Sequence, residues 1–290
     1  MLAVQPVLAI SISESHDLVR HGLGEIHVRH AFTELTRHVL AARGSIAYGG
    51  DLRPSGYTEA LFDLLRAYER PDRPSPDRVR NFLAWPIWSE LTSARRAELR
   101  AIATLVESPA PSGAPPSLPR PAERSPQERL WFARALTIMR EQMTSQIDAQ
   151  LILGGRVSGQ QGLCPGVLEE AALTIRAGVP LFPIGGFGGC GKLIVAALAG
   201  EQPDELTTTY QRANTPGYEQ LRAAAEEHGI HTNPESLVSN LSSSGLDGLN
   251  NGLDREDNLR LTTTDDIDEI VALVLRGLRR LPDRIKPTPA

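Results

Sequence analysis

Apolar and polar positions alternate in blocks along the first two thirds of the chain. Residues 6–12 (PVLAISI) form a short continuous apolar run that ends in a Ser/Glu cluster, the pattern of a buried strand followed by a loop. In residues 25–42, Ile26, Ala31, Phe32, Leu35, Val39 and Leu40 recur at spacings of one to five, which predicts an amphipathic helix. Arg43-Gly44 supplies the cation and glycine of a helix end. SIAY (45–48) predicts a second strand, and residues 58–70 a second helix with Thr58 as its N-cap. The same alternation returns later. Residues 126–147 read as a helix, 148–155 as a strand and 165–178 as a helix with Pro in its first turn. Residues 179–184 read as a strand, and KLIVAALAG (192–200) continues as a helix. The final predicted helix, DDIDEIVALVLRGLRRL, carries acids first and arginines last, matching the helix dipole.

This order predicts an α/β fold: a Rossmann-like parallel sheet of about five core strands with helices on both faces. Residues 1–200 are expected to form that domain, and 201–290 a small helical C-terminal extension. Between residues 71 and 128 the pattern breaks. Two proline-rich stretches flank an expected strand (81–88) and helix (92–106), and the second of them, 107–126, predicts an extended surface loop or a disordered insertion.

Composition narrows the picture modestly. The 290 residues are 41% apolar and 22% charged, ordinary for a globular protein. A net charge of −5 leaves no basic footprint, so a nucleic-acid duplex is not an expected partner. No apolar run approaches the roughly 20 residues that span a bilayer. The N-terminus has no basic segment before its apolar stretch, so a cytoplasmic protein is expected. Two cysteines, Cys164 and Cys190, imply no disulfide framework. Each sits in a glycine-rich loop where a thiol nucleophile could act, but no base is adjacent in sequence. No metal-ligand spacing occurs among the histidines.

In parallel sheets, ligands bind at the carboxyl ends of the strands, where the strand order reverses. Four loops occupy such ends. SISES offers Ser11, Ser13 and Glu14 as phosphate or sugar contacts, or alternatively an N-cap cluster that includes Ser15 and Asp17. YGGDLRPSGYT offers Gly49, Gly50, Asp51, Arg53 and Thr58: backbone N–H groups, a bidentate cation and a helix start. LGGRVSG…PGVLEEA offers Gly154, Gly155, Arg156 and Gly166, with Glu169 and Glu170 as ribose readers or catalytic carboxylates. PIGGFGGCGK offers Gly185, Gly186, Phe187, Gly188 and Gly189 as a nest of N–H groups before a helix. The last stretch is no Walker A loop, because Leu193 follows Lys192. Its GxGxxG spacing lacks an acidic ribose reader downstream.

In combination these motifs resemble the SLOG superfamily. MREQMTSQIDAQLILGG…PGVLEEA is similar to the segment MHERK…DAFIALPGGxGTLEE of LOG proteins, and YGGDLRPSGYTE to their YGGG segment. SxSES, YGGDLRPxGFT, DARxxLGGR, GxxPGxxEEA and PxxxxGGFGG are closest to the prokaryotic branch related to the N-terminal domains of melastatin-type TRP channels. The resemblance covers roughly residues 5–200. It implies binding of a nucleotide-derived ligand, ADP-ribose or a cyclic relative, in a bacterial antiviral or conflict system. It also implies a homo-oligomer, with an effector protein in a separate chain. A LOG-like phosphoribohydrolase that cleaves an N-glycosidic bond is the alternative, and a non-catalytic oligomerising scaffold a third. The catalytic reading is weakened because Gln142 and Met143 stand where LOG enzymes carry arginine and lysine. Glu170 aligns with the LOG acid, and Arg140 or Arg156 would have to supply the missing cation.

Overall fold

The computed structural model describes residues 5–13, 15–50, 52, 56–68 and 76–281. These residues form six strands: β1 (Val7–Ser13), β2 (Ser45–Gly49), β3 (Val79–Leu83), β4 (Thr104–Glu107), β5 (Ala149–Gly154) and β6 (Leu181–Ile184). All neighbours are parallel, in the order β4-β3-β2-β1-β5-β6. The order reverses beside β1, so the switch point lies between β1 and β5.

Side chains of β1 alternate between two helical layers, as the period of a strand requires. Leu8, Ile10 and Ile12 face α1 (Glu25–Ala41) and α2 (Tyr57–Tyr68), where Phe32, Leu35, Val39 and Leu61 join one core cluster. Val7 and Ala9 face the opposite layer, where Phe132, Met139 and Met143 belong to α5 (Pro126–Ser145). Beyond β5 that layer continues as α6 (Gly166–Arg176) and α7 (Gly189–Leu198).

Residues 79–107 depart from expectation. The strand expected over 81–88 stops at Leu83, because Pro86 initiates a short helix, α3 (Trp85–Ser89). The helix expected over 92–106 ends early as α4 (Ser93–Arg100), and its final residues turn back into β4. TLVE is only four residues long and half-buried throughout, so it lacks the continuous apolar run that revealed the central strands.

The proline-rich stretch 108–125 holds no helix longer than one 3-10 turn, Pro121–Glu123. It is extended, as expected, but it is packed: Ser108 and Leu118 are buried, and Trp88 Nε1 donates to the Ser108 carbonyl at 2.7 Å.

The polar, glycine-rich tail is helical: α8 (Thr208–Asn214), α9 (Tyr218–Glu227), α10 (Pro234–Ser244), α11 (Arg255–Thr263) and α12 (Ile267–Arg280). Asn233, Asp254 and Asp266 cap α10, α11 and α12 by accepting backbone N–H bonds. Helix α12 returns to the sheet, and Ile270, Val271, Val274 and Leu278 join the cluster that holds α1.

Candidate functional site

A cavity of about 790 Å³ opens at the carboxyl ends of β1 and β2, beside the switch point. Its polar end is built by Ser11 and Ser13 at the end of β1, Gly49 and Gly50 after β2, and Gly166 and Glu170 at the start of α6. Its apolar wall comes from α3 and α5, with Pro86, Ile87, Phe132, Leu136 and Met139. The proline-rich stretch closes one side through Leu118, Arg120, Pro121 and Arg124. A cleft on the scale of a small ligand, with an apolar wall facing convergent polar and charged groups, is suited to binding.

Behind the polar end lies a buried charge cluster. Arg140 Nε, on α5, donates to Glu170 Oε1 at 3.1 Å, and Nη1 donates to Glu169. Thr137 also donates to Glu169, and Ser11 donates to the second oxygen of Glu170. Gln150, on β5, donates to the Ser11 hydroxyl. One guanidinium thus faces two carboxylates. Burial raises the Glu170 pKa, opposed by Arg140 and the Ser11 hydrogen bond, and the net shift is upward. Burial works against the charge on Arg140, but the two carboxylates outweigh it and raise its pKa. Gly166 allows this closeness, since a Cβ there would lie 2.5 Å from Arg140 Nη2.

Three other arginines line the cavity. Arg120 and Arg156 are exposed. Arg124 is half-buried: its Nε donates to the Pro119 carbonyl at 3.0 Å, and its guanidinium stands 4.2 Å from the centre of the Phe132 ring. Burial lowers the Arg124 pKa, partly countered by Glu90 and Glu128. The loop that carries Arg156 is pinned at both ends. The Arg156 N–H donates to Ser13 Oγ at 3.0 Å. Farther along, Thr215 accepts from the Gly159 N–H at 2.9 Å, and Gln211 accepts from Gln160 at 2.8 Å. The C-terminal helices therefore hold one rim of the cavity.

Of the residues singled out from sequence, the structure brings Ser11, Ser13, Gly49, Gly50, Arg140, Arg156, Gly166 and Glu170 into this one cavity. Glu169 lies behind it in the charge cluster. Gly154 and Gly155 do not line the cavity; the Gly155 N–H donates to the Ser13 carbonyl and its carbonyl accepts from the Cys190 N–H, each at 2.9 Å. Thr58 is buried and lies within α2 as its second residue, so it is not the N-cap expected. Glu14, Asp51 and Arg53 lie outside the described residues.

The stretch 185–189 is placed apart from the cavity lining, and close packing accounts for its composition. A Cβ on Gly186 would lie 2.1 Å from the Thr264 carbonyl oxygen. Gly185 donates its N–H to the Thr262 carbonyl at 3.1 Å, and Gly188 donates to Gly185 at 2.9 Å. Gly188 takes φ of 67°, a conformation that glycine adopts at no steric cost. The anion at the start of α7 is the protein's own: Gly189 N–H donates to Asp17 Oδ1 at 2.9 Å. Phe187 is fully buried in the core cluster with α1. Asp17 thus acts as a long-range partner of α7 instead of a side-chain cap for its own 3-10 turn.

Sequence reasoning missed Arg120, Arg124, Gln160 and Gln161, all of which line the cavity. The signal available was two cations among prolines in PRPAER and a QQ pair inside a glycine-rich loop. Neither pattern shows which way its loop folds back. Gln142, at the position of the LOG arginine, does not line the cavity. Burial raises both cysteine pKa values, Cys190 to about 12, so neither is a thiolate near neutral pH. Among the described residues, no group of three or more His, Cys, Asp or Glu side chains could hold a metal, and no helix is long and apolar enough to cross a membrane.

A search of curated proteins finds no match to this chain. A profile of the family described as SLOG cluster2 matches residues 3–261, which reaches past the expected boundary at residue 200 and includes α8, α9 and α10. With the six-stranded parallel sheet and the cavity at its switch point, this match means that the chain belongs to the SLOG cluster2 family.

Proposed function

We propose that the cavity binds a phosphate-bearing, nucleotide-derived ligand of the ADP-ribose or cyclic ADP-ribose class and holds it without hydrolysis. One observation carries this reading: Arg140, the buried cation of the site, is already bonded to Glu169 and Glu170. A LOG-type hydrolase needs a cation on the phosphate and a carboxylate free to stabilise an oxocarbenium-like transition state. Here the cation is engaged by both carboxylates and is not left to a phosphate. Phosphate recognition falls to the rim arginines 120, 124 and 156 and to backbone N–H groups near Gly49 and Gly50.

Hydrolysis of an N-glycosidic bond remains the second reading, because Glu170 lines the cavity and its pKa is raised, as a catalytic carboxyl requires. A bare oligomerising scaffold is the third. As a sensor in a conflict system, the protein would form a homo-oligomer and pass the signal to an effector in another chain, and family membership is the support for that part. Mass spectrometry of small molecules released from the purified protein tests the proposal. A retained nucleotide-derived phosphate compound is expected. Protein purified free of any such compound, and unable to take up ADP-ribose or AMP, would contradict it.

A further inference from the structure

A second cavity, of about 390 Å³, lies beside the first. The two share Pro121, Arg124, Phe132, Gly159, Gln160 and Gln161 as lining residues. Those six come from the proline-rich stretch, from α5 and from the loop before α6, so three separate parts of the chain converge on one partition. The smaller compartment is lined in addition by Ala122, Arg129, Thr215 and Pro216. Arg129 donates to the Pro216 and Gly217 carbonyls, both at 2.9 Å, which fixes that wall to α5.

The shared boundary is cationic. Arg124 Nη1 meets Gln161 Oε1 at 3.5 Å, at the outer limit of a hydrogen bond, so this contact closes the partition only weakly. Arg124 Nη2 makes no hydrogen bond among the described residues. Its guanidinium plane rests on Phe132, a ring that faces both compartments. A planar cation on the boundary shared by two cavities suits two linked phosphates, because its fork can bond to oxygens on both.

From this geometry we infer that the two compartments form one site for a two-ended ligand, in which a pyrophosphate crosses the Arg124–Gln161 partition and a ring-bearing group lies on each side. This deepens the proposed function and rests on it: a nucleoside monophosphate fills only the larger compartment, and the smaller one takes the second sugar or nucleoside. The residues that read the second end are Gln160, Gln161 and Thr215, and Thr215 ties the site to α8 through Gln211.

Isothermal titration of the full chain with AMP, ADP and ADP-ribose tests this. The wild type is expected to bind ADP-ribose at least tenfold more tightly than AMP, with ADP between them. Ala122 lines the smaller compartment and not the larger, and Ala122→Trp adds bulk there. That variant is expected to bind AMP as the wild type does and to lose the preference for ADP-ribose. Equal wild-type affinities for AMP and ADP-ribose would overturn the two-compartment inference while leaving nucleotide binding intact. A preference that survives Ala122→Trp would also overturn it. Failure of the wild type to bind any of the three would instead overturn the proposed function, and this inference with it. Ala122→Leu is read in the same way should the tryptophan variant lose AMP.

Discussion

Arg140 Nε lies 3.1 Å from Glu170 Oε1, with both side chains buried and Glu169 bonded to the same guanidinium. A salt bridge in this setting is not primarily a source of stability, since desolvation offsets much of the attraction. Removing one partner is a different matter. Arg140→Met leaves two buried carboxylates without a cation and is expected to cost about 3–5 kcal/mol, read from the urea midpoint at constant slope. A loss below about 1 kcal/mol would mean that water reaches the cluster and the pairing is not buried.

The raised Glu170 pKa has a definite sign in stability. The folded protein binds that proton more tightly than the unfolded chain does, so the stability attributable to Glu170 is greatest below its ordinary value of 4.5. It declines as pH rises through the raised folded value. Glu170→Gln mimics the protonated form at every pH. The stability of the wild type relative to Glu170→Gln should therefore fall as pH rises from 4.5 toward neutrality, measured by denaturant titration at several pH values. A difference that grows with pH would show that Arg140 dominates over burial.

Gly186→Ala separates packing from binding. Its Cβ would stand 2.1 Å from the Thr264 oxygen, a backbone atom that cannot swing aside. The expected loss is about 1–3 kcal/mol, with ligand affinity kept in the folded fraction. Thermal melting and titration on the same sample check both halves. An unchanged melting temperature with lost binding would return this loop to the ligand site.

Arg120→Glu and Arg156→Glu act on the exposed rim of the cavity. Surface changes of this kind usually alter stability by less than about 0.5 kcal/mol. Ligand affinity should drop at least tenfold for each, since a charge-assisted bond to phosphate becomes a repulsion. Titration against ADP-ribose measures it, and unchanged affinity in both variants would exclude the rim from phosphate binding.

The sequence displayed β1, β5 and β6 because nearly every residue of these strands is buried, so they read as largely apolar runs even though β6 lies at one edge of the sheet. Edge strand β4 is half-buried and only four residues long, and no local pattern distinguishes it from the end of a helix. Much of the site was legible for a related reason: strand ends in parallel sheets share a location, so Ser11, Gly49 and Glu170 could be grouped before any contact was known. The partners of those residues were not legible. That Arg140 bonds to Glu169 and Glu170, that Asp17 meets α7, and that residues 118–124 fold over the cleft are tertiary facts joining distant segments. Glycines 185 to 189 show the limit most clearly, since close backbone packing and ligand approach demand the same residue.

The central claim is binding without turnover, and the most direct measurement is incubation of the purified wild type with ADP-ribose, followed by thermal melting and chromatography of the same mixture. The account predicts a raised melting temperature and ADP-ribose recovered intact. Release of base or ribose phosphate by the wild type, abolished in Glu170→Ala, would contradict it.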